Sequence, residues 1–361
     1  MINNNNGSIW FTLSRPFLFC APAVFIGFCL IAQAGAQEDS DNIATNATGV
    51  PRNTVIKTID VGGNPYSIAV SNSCKFVYAT DPRNQTIIKI SAKTKKVVKK
   101  FPVTNPYAVV VTPNGKQLFV TNYLQGFVYE LNAKTGKLID TFTMPANSQP
   151  RYLAITPDGS QVWVPNGSSG KVYVIDTADE GGGDFTSKDL RAPLGVAFSA
   201  DSSTAYVADL NSSGVVVFDV ASKSETGLVP LSYGPTWCAV NPATGTAYAD
   251  RPYNVDSDIP AIFQFTVISS GVQTVTTSQI PSNFAVTSDG KYLYVPFAHA
   301  STTETGNTVV MFDTTTLEAV GDPITVGNEP EYVAVARNGK RAYVSNFKDG
   351  TISVINTTPE P

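Results

Sequence analysis

The stretch GNEPEYVAVARNGKRAYVSN, from Gly327 to Asn346, is the last of seven variations on one phrase. Aligned on its proline, the phrase reads PYSIAVS at Pro65, PYAVVVT at Pro106, PRYLAIT at Pro150 and PLGVAFS at Pro193. It continues as PTWCAVN at Pro235, PSNFAVT at Pro281 and PEYVAVA at Pro330. Successive prolines are 41, 44, 43, 42, 46 and 49 residues apart. A period in the forties with several short strands per unit predicts a propeller array.

Each unit reads as four strands. The proline phrase alternates apolar and small residues, which suits an inner strand. A turn such as TPNGK (112–116) or TSDGK (287–291) follows, where Asn-Gly and Asp-Gly accept the positive backbone angles of a tight hairpin. The second strand ends in Tyr-Val-x-Asn or a variant: FVTN at Phe119, WVPN at Trp163, YVAD at Tyr206, YVSN at Tyr343. A β-branched third strand comes next, KVYVID from Lys171 or TISVIN from Thr351, then a turn and a fourth strand such as LIDTFTM from Leu138. Outside the first 36 residues no helical apolar period occurs. The fifth residue of the phrase is Ala69, Val110, Ala154, Ala197, Ala239, Ala285 or Ala334. Small side chains there fit inner strands that converge on a shared axis.

The seventh unit stops after its third strand, while NTVIKTIDV (53–61) precedes the first phrase and belongs to no complete unit. The expectation is an all-β, seven-bladed β-propeller in which this N-terminal strand pairs with TISVIN of the C-terminal blade and removes an exposed sheet edge.

The 361 residues are 42% hydrophobic and 15% charged, which suits a buried core and argues against disorder. The net charge is −4, and KTKKVVKK (93–100) is the largest basic block, so the footprint of a duplex-DNA binder is missing. Arg15, the apolar run 16–32 and the small residues Ala34 and Ala36 read as a signal peptide cleaved after Ala36. That reading divides the chain into a leader (1–36), a flexible segment (37–52), the propeller (53–358) and a short tail (359–361). It implies a secreted or periplasmic monomer without a membrane span after cleavage. Cys74 and Cys238 fall in non-adjacent units, so both are expected as free thiols. GGG at 181–183 reads as a flexible turn.

The P-x-x-x-A-V phrase, the PDGS, SDGK and NGK turns, the YVSN and FVTN strands and the TISVIN and KVYVID strands together resemble the YVTN-type β-propeller repeat family. The resemblance covers about residues 53–358. It implies kinship with periplasmic binding proteins, archaeal surface-layer domains, lactonase-like enzymes and the haem d1 propeller of nitrite reductases. A single histidine, His299, argues against the haem role. Fold leaves function open.

Propeller geometry places the loops between blades, and those joining second to third strands, on one face around the axis. The residues after each proline would line that top face: Tyr66, Tyr107, Arg151, Leu194, Thr236, Ser282 and Glu331. Two second-to-third-strand loops look long, DRPYNVDSDIP (250–260) and FAHASTTETGN (297–307). Three chemistries fit. Asp256 and Asp258 offer oxygen ligands for Ca²⁺, the one cofactor candidate in a chain otherwise expected to have none. His299, with Glu304 or Asp250, offers a general base for a lactonase, lyase or cyclase. Tyr66, Tyr107, Tyr152, Trp237, Tyr253 and Tyr332, with Arg151, Arg251 and Glu331 beside them, offer an aromatic, charged mouth for an anionic or sugar-like ligand. The leading expectation is a module binding a small molecule or protein at the top face, and not nucleic acid. The enzyme, and a structural extracellular repeat domain, stand as alternatives.

Overall fold

The computed structural model describes residues 50–146, 148–178, 181–212, 214–231, 234–250, 263–267, 273–277, 279–299 and 304–359. The expected leader and most of the expected flexible segment lie outside these residues, as do Arg251, Tyr253, Asp256 and Asp258. The described chain is all-β, and among the described residues there is no helix long and apolar enough to cross a membrane.

The strands form seven antiparallel sheets. Blade 1 holds Ile68–Val70, Phe76–Asp81, Thr86–Ser91 and Lys96–Pro102, and blade 2 holds Pro106–Val111, Gln117–Asn122, Phe127–Asn132 and Leu138–Thr143. Blades 3 to 6 repeat this order and begin at Ala154, Pro193, Cys238 and Ile280. Blade 7 takes Pro330–Val335, Arg341–Asn346 and Thr351–Asn356 from the C-terminal end, and its outermost strand is Thr54–Asp60, with Thr54 opposite Asn356 and Asp60 opposite Thr351. The pairing runs past the expected boundary at residue 53: Arg52 N donates to Thr358 O at 3.0 Å, and Pro51 bridges Pro359. Inner strands touch in the order of blades 1 to 7, and blade 7 touches blade 1.

The aromatic that opens each Tyr-Val-x-Asn strand is a wedge between blades. Tyr78, Phe119, Trp163, Tyr248, Tyr294 and Tyr343 are buried. A buried phenol needs a partner for its hydroxyl, and the next blade supplies it. Tyr78 donates to Ala133 O at 3.1 Å and Tyr294 to Asn53 Oδ1 at 2.7 Å. The seven small-residue positions, Ala69 to Ala334, line a central channel of about 430 Å³ together with their apolar neighbours.

Two local expectations change. Gly182–Phe185 is a strand, the outermost of blade 3, with Gly183 opposite Val174, and not a turn. Glycine weakens a strand, but here the β-branched KVYVID supplies the ladder. The second correction concerns 297–307. Tyr292–His299 and Thr305–Asp313 are strands, and His299 sits opposite Thr305, so most of that segment is an extended hairpin.

Candidate functional site

The site is built from the last two residues of the second strands. In blades 1 to 5 the final Asn or Asp holds its own blade's entry loop, and Phe297 stands at that position in blade 6. Asp81 accepts from Asn64 N and Asn84 N, Asp209 from Arg191 N and Ala192 N, and Asp250 from Thr236 N and Trp237 N. The residue before it is a hydroxyl in blades 7, 1 and 2 and something else in the other four: Pro165, Ala208, Ala249 and Pro296. Each hydroxyl accepts an amide of its own blade and donates to the next. Ser345 Oγ donates to Tyr66 O (2.6 Å), Thr80 Oγ1 to Tyr107 O (2.8 Å) and Thr121 Oγ1 to Arg151 O (3.2 Å). Three of the seven residues that follow the prolines are thus pinned by sequence-encoded hydrogen bonds.

The residues one place further on face the axis, and their sizes are uneven. They are Ser67, Ala108, Tyr152, Gly195, Trp237, Asn283 and Tyr332. The three large rings meet across the channel: Tyr152 and Trp237 lie 5.3 Å apart between centroids, Trp237 and Tyr332 5.4 Å, Tyr152 and Tyr332 6.2 Å. Gly195 leaves room for this. A Cβ there would come within 2.8 Å of Thr236 O and 3.0 Å of Trp237 Cα. The space over the small Ser67 and Ala108 is taken by Tyr66 and Tyr107, whose rings lie 4.6 Å apart. Tyr107 donates to Tyr66 Oη at 3.1 Å, and the Tyr66 and Tyr152 hydroxyls are 3.3 Å apart. The channel's top end is therefore a floor of aromatic rings with a cluster of phenol oxygens in it.

Charged groups border the floor. Arg151 is exposed, and its guanidinium lies 5.3 Å from the Tyr123 ring, which is itself 5.4 Å from Tyr107. Glu331 is half-buried; burial pushes its carboxyl up to about 7, and the neighbouring Glu329 charge pushes the same way. Burial, then the other phenols and Glu331, raise Tyr66 and Tyr332 well above the ordinary phenol range. The phenols stay protonated at neutral pH, whereas Glu331 is poised between two states.

The structure thus brings Tyr66, Tyr107, Arg151, Tyr152, Trp237 and Tyr332 together and sets Glu331 among the phenols. Leu194 packs against the same cluster, while Thr236 turns aside and donates to Asp250 Oδ2 at 2.6 Å. Asp250 is buried, and burial raises its carboxyl to about 6 against the pull of those hydrogen bonds. That places it in the capping role that Asn122 and Asn166 occupy elsewhere, Asn122 donating to Thr104 O and Asn166 accepting from Gln149 N. His299 is half-buried in its hairpin and Glu304 is exposed. Among the described residues no group of three or more potential metal ligands converges. Cys74 and Cys238 are free.

Three members were not foreseen. Tyr123 and Phe347 follow the second-strand asparagines of blades 2 and 7, and Phe347 stands edge-on to Tyr66 at 6.2 Å. The legible signal was an aromatic after that asparagine, in NYLQG and NFKDG. Asn283 is the third, placed by an amide hydrogen bond to Glu331 O at 3.1 Å.

The chain matches the family model described as Lactonase, 7-bladed beta-propeller, over residues 44–232 and 265–360. No curated protein matches it significantly. Among solved structures, Kuenenia stuttgartiensis Hydrazine Synthase superposes with a TM-score of 0.70 at 18% identity, covering 82% of this chain and 96% of that one. The Myceliophteria thermophila Cps50 (Swd1) beta-propeller domain gives 0.69 at 9% identity, covering 85% and 100%. At these identities the two neighbours speak for the fold alone. The family match spans well over half of the sequence, and the protein belongs to the seven-bladed β-propeller lactonase family.

Proposed function

We propose that the top face binds a small, hydroxylated organic acid or its lactone on the aromatic floor. The observation behind this reading is the convergence of the Tyr66, Tyr107 and Tyr152 hydroxyls between Arg151 and Glu331. Ring faces accept the C–H face of such a molecule, phenols exchange hydrogen bonds with its hydroxyls, and Arg151 pairs with a carboxylate or polarises a carbonyl. The test is a thermal-shift titration with gluconate, glucuronate, their lactones and neutral glucose. Stabilisation by the acids or lactones that is lost in Tyr107→Phe and Arg151→Gln supports the reading. Equal stabilisation in both variants refutes it.

A second reading, lactone hydrolysis at the same place, is favoured by the family and by the Glu331 carboxyl near neutrality. Glu331 as carboxylate would take a proton from water as its oxygen attacks the acyl carbon; the ring C–O bond breaks, and the released alkoxide takes that proton back from Glu331, restoring the carboxylate. Lactone turnover abolished in Glu331→Gln, with binding retained, is its signature. Neither reading needs a metal or cofactor. Export is part of the proposal, and N-terminal sequencing of the mature protein checks it: the expected first residue is Gln37.

A further inference from the structure

The acidic chain hides an uneven charge distribution. Residues 75–137 hold eleven lysines and arginines against two acidic residues, and those two, Asp81 and Glu130, are buried. The other 298 positions hold fourteen basic residues against twenty-seven acidic ones.

The fold gathers these lysines along one edge. In blades 1 and 2 the turn after the innermost strand and the turn before the outermost strand lie at the end remote from the aromatic floor. They touch: Ala92 N donates to Lys75 O at 2.9 Å in blade 1, and Ala133 N to Lys116 O at 2.8 Å in blade 2. Lys93, Lys96, Lys134 and Lys137 project from the outer turns and are exposed. Two side chains join the blades, since Lys89 Nζ donates to Ala133 O and Lys99 Nζ to Thr135 O, each at 2.9 Å. The ammonium groups of Lys99 and Lys134 add to burial in pushing Lys89 below the usual lysine range, so like charges are held close together. The result is a continuous basic ridge across two blade edges.

The turns themselves do not require this charge. Where both turns of a blade are described, a side-chain oxygen caps each by accepting a backbone amide, and neutral Asn241 and Asn338 cap the first turns of blades 5 and 7. In blades 3, 4 and 6 the acceptor is a carboxylate: Asp158, Asp201 and Asp289 in the first turn, Asp176, Asp219 and Asp313 in the second. In blades 1 and 2 the same second-turn bonds go to Ser91 and Asn132, and the first turn of blade 2 uses Asn114. Neutral caps stand where carboxylates would cancel the ridge.

We propose that this ridge is a docking site for a linear, carboxylate-bearing polysaccharide. Lysine is a flexible point charge with no bidentate geometry, which suits a repeating anion better than one defined ligand. The shape of the charge selects a strand over a sheet. A flat anionic bilayer laid on this face would also meet the aspartate caps of blades 3, 4 and 6, whereas a single chain follows the ridge alone. The site is separate from the top-face floor, and the two readings stand or fall independently.

The test is binding of the purified protein to polygalacturonate, with neutral dextran and phosphatidylglycerol vesicles in parallel, between 50 and 300 mM salt. Binding to polygalacturonate should weaken linearly on a log–log plot against salt, as counterion release requires. The variant Lys96→Gln/Lys116→Gln/Lys134→Gln/Lys137→Gln should lose at least tenfold in affinity with a shallower salt slope. The matching four-fold arginine variant should keep binding, as should Lys188→Gln/Lys348→Gln on other blades. No binding at 50 mM salt, an unchanged affinity in the glutamine variant, or binding to vesicles and not to polygalacturonate overturns the proposal.

Discussion

Glu331→Gln should make the protein more stable above neutral pH and leave it unchanged at acid pH. Burial raises the Glu331 carboxyl from its ordinary 4.5 to about 7 in the folded state. A carboxyl with a raised folded pKa contributes stability that is fully present below pH 4.5 and is lost as pH rises through 7. Above 7 the folded protein holds an ionised carboxylate among phenols, at a cost of roughly 3 kcal/mol, from a shift of about two and a half units at ~1.4 kcal/mol each. Glutamine has the same shape and never ionises. At about 2 °C per kcal/mol for a domain of this size, the variant should melt ~6 °C above the parent at pH 8.5 and within a degree of it at pH 4.5. Asp250 titrates in the same range and contributes to the parent's slope, so the difference between the two melting curves is the quantity to read. A difference that stays constant from pH 4.5 to 8.5 would refute the burial argument and with it the general-base reading.

Asp250→Asn keeps the oxygen that receives Thr236 N and Trp237 N but loses the acceptor of the Thr236 hydroxyl; about 3 kcal/mol from the raised carboxyl, less about 1 kcal/mol for that hydrogen bond, leaves a gain of roughly 2 kcal/mol at pH 8 that is gone below about pH 4, and thermal melts at the two pH values check it. Thr121→Val removes the acceptor of Ala108 N and the donor to Arg151 O, so chemical denaturation should show a loss of about 1–3 kcal/mol. Gly195→Ala drives a Cβ against the blade 5 backbone and should cost about 1–3 kcal/mol, with altered near-ultraviolet circular dichroism as the Trp237 packing shifts. Deleting 54–60 strips blade 7 of its outer strand, and size-exclusion chromatography should show aggregate where the parent elutes as a defined species.

The repeat was open to reading because its positions are set by geometry that recurs. Alanine five places into the phrase recurs in six blades, with Val110 in the other, and Asn or Asp closes the second-strand motif in six, with Phe297 in the other. The top face was partly legible for a different reason. Residues after the prolines looked irregular, and that pointed to Tyr66, Tyr107, Arg151 and Glu331. The next position carried equal weight and was harder to see. The size alternation among Tyr152, Gly195, Trp237, Asn283 and Tyr332 makes sense only once seven strands meet at an axis. Asp250 reads as an acid that could serve His299, yet its oxygens are taken by two backbone amides and the Thr236 hydroxyl, a use that composition does not reveal. Repeat alignment puts His299 in a long second-to-third-strand loop, whereas cross-strand pairing extends out to its position. The basic ridge was visible only as a local lysine block, because its partner lysines at 116, 134 and 137 come from the neighbouring blade.

The central claim is that the ligand lies on the aromatic floor between Arg151 and Glu331. A crystal structure of the protein soaked with gluconate or gluconolactone tests it most directly. Ligand density over the Tyr66 and Tyr107 rings, with an oxygen within hydrogen-bond distance of a phenol and of Arg151, is the predicted result. Ligand density elsewhere on the protein, with the floor left bare, would contradict it.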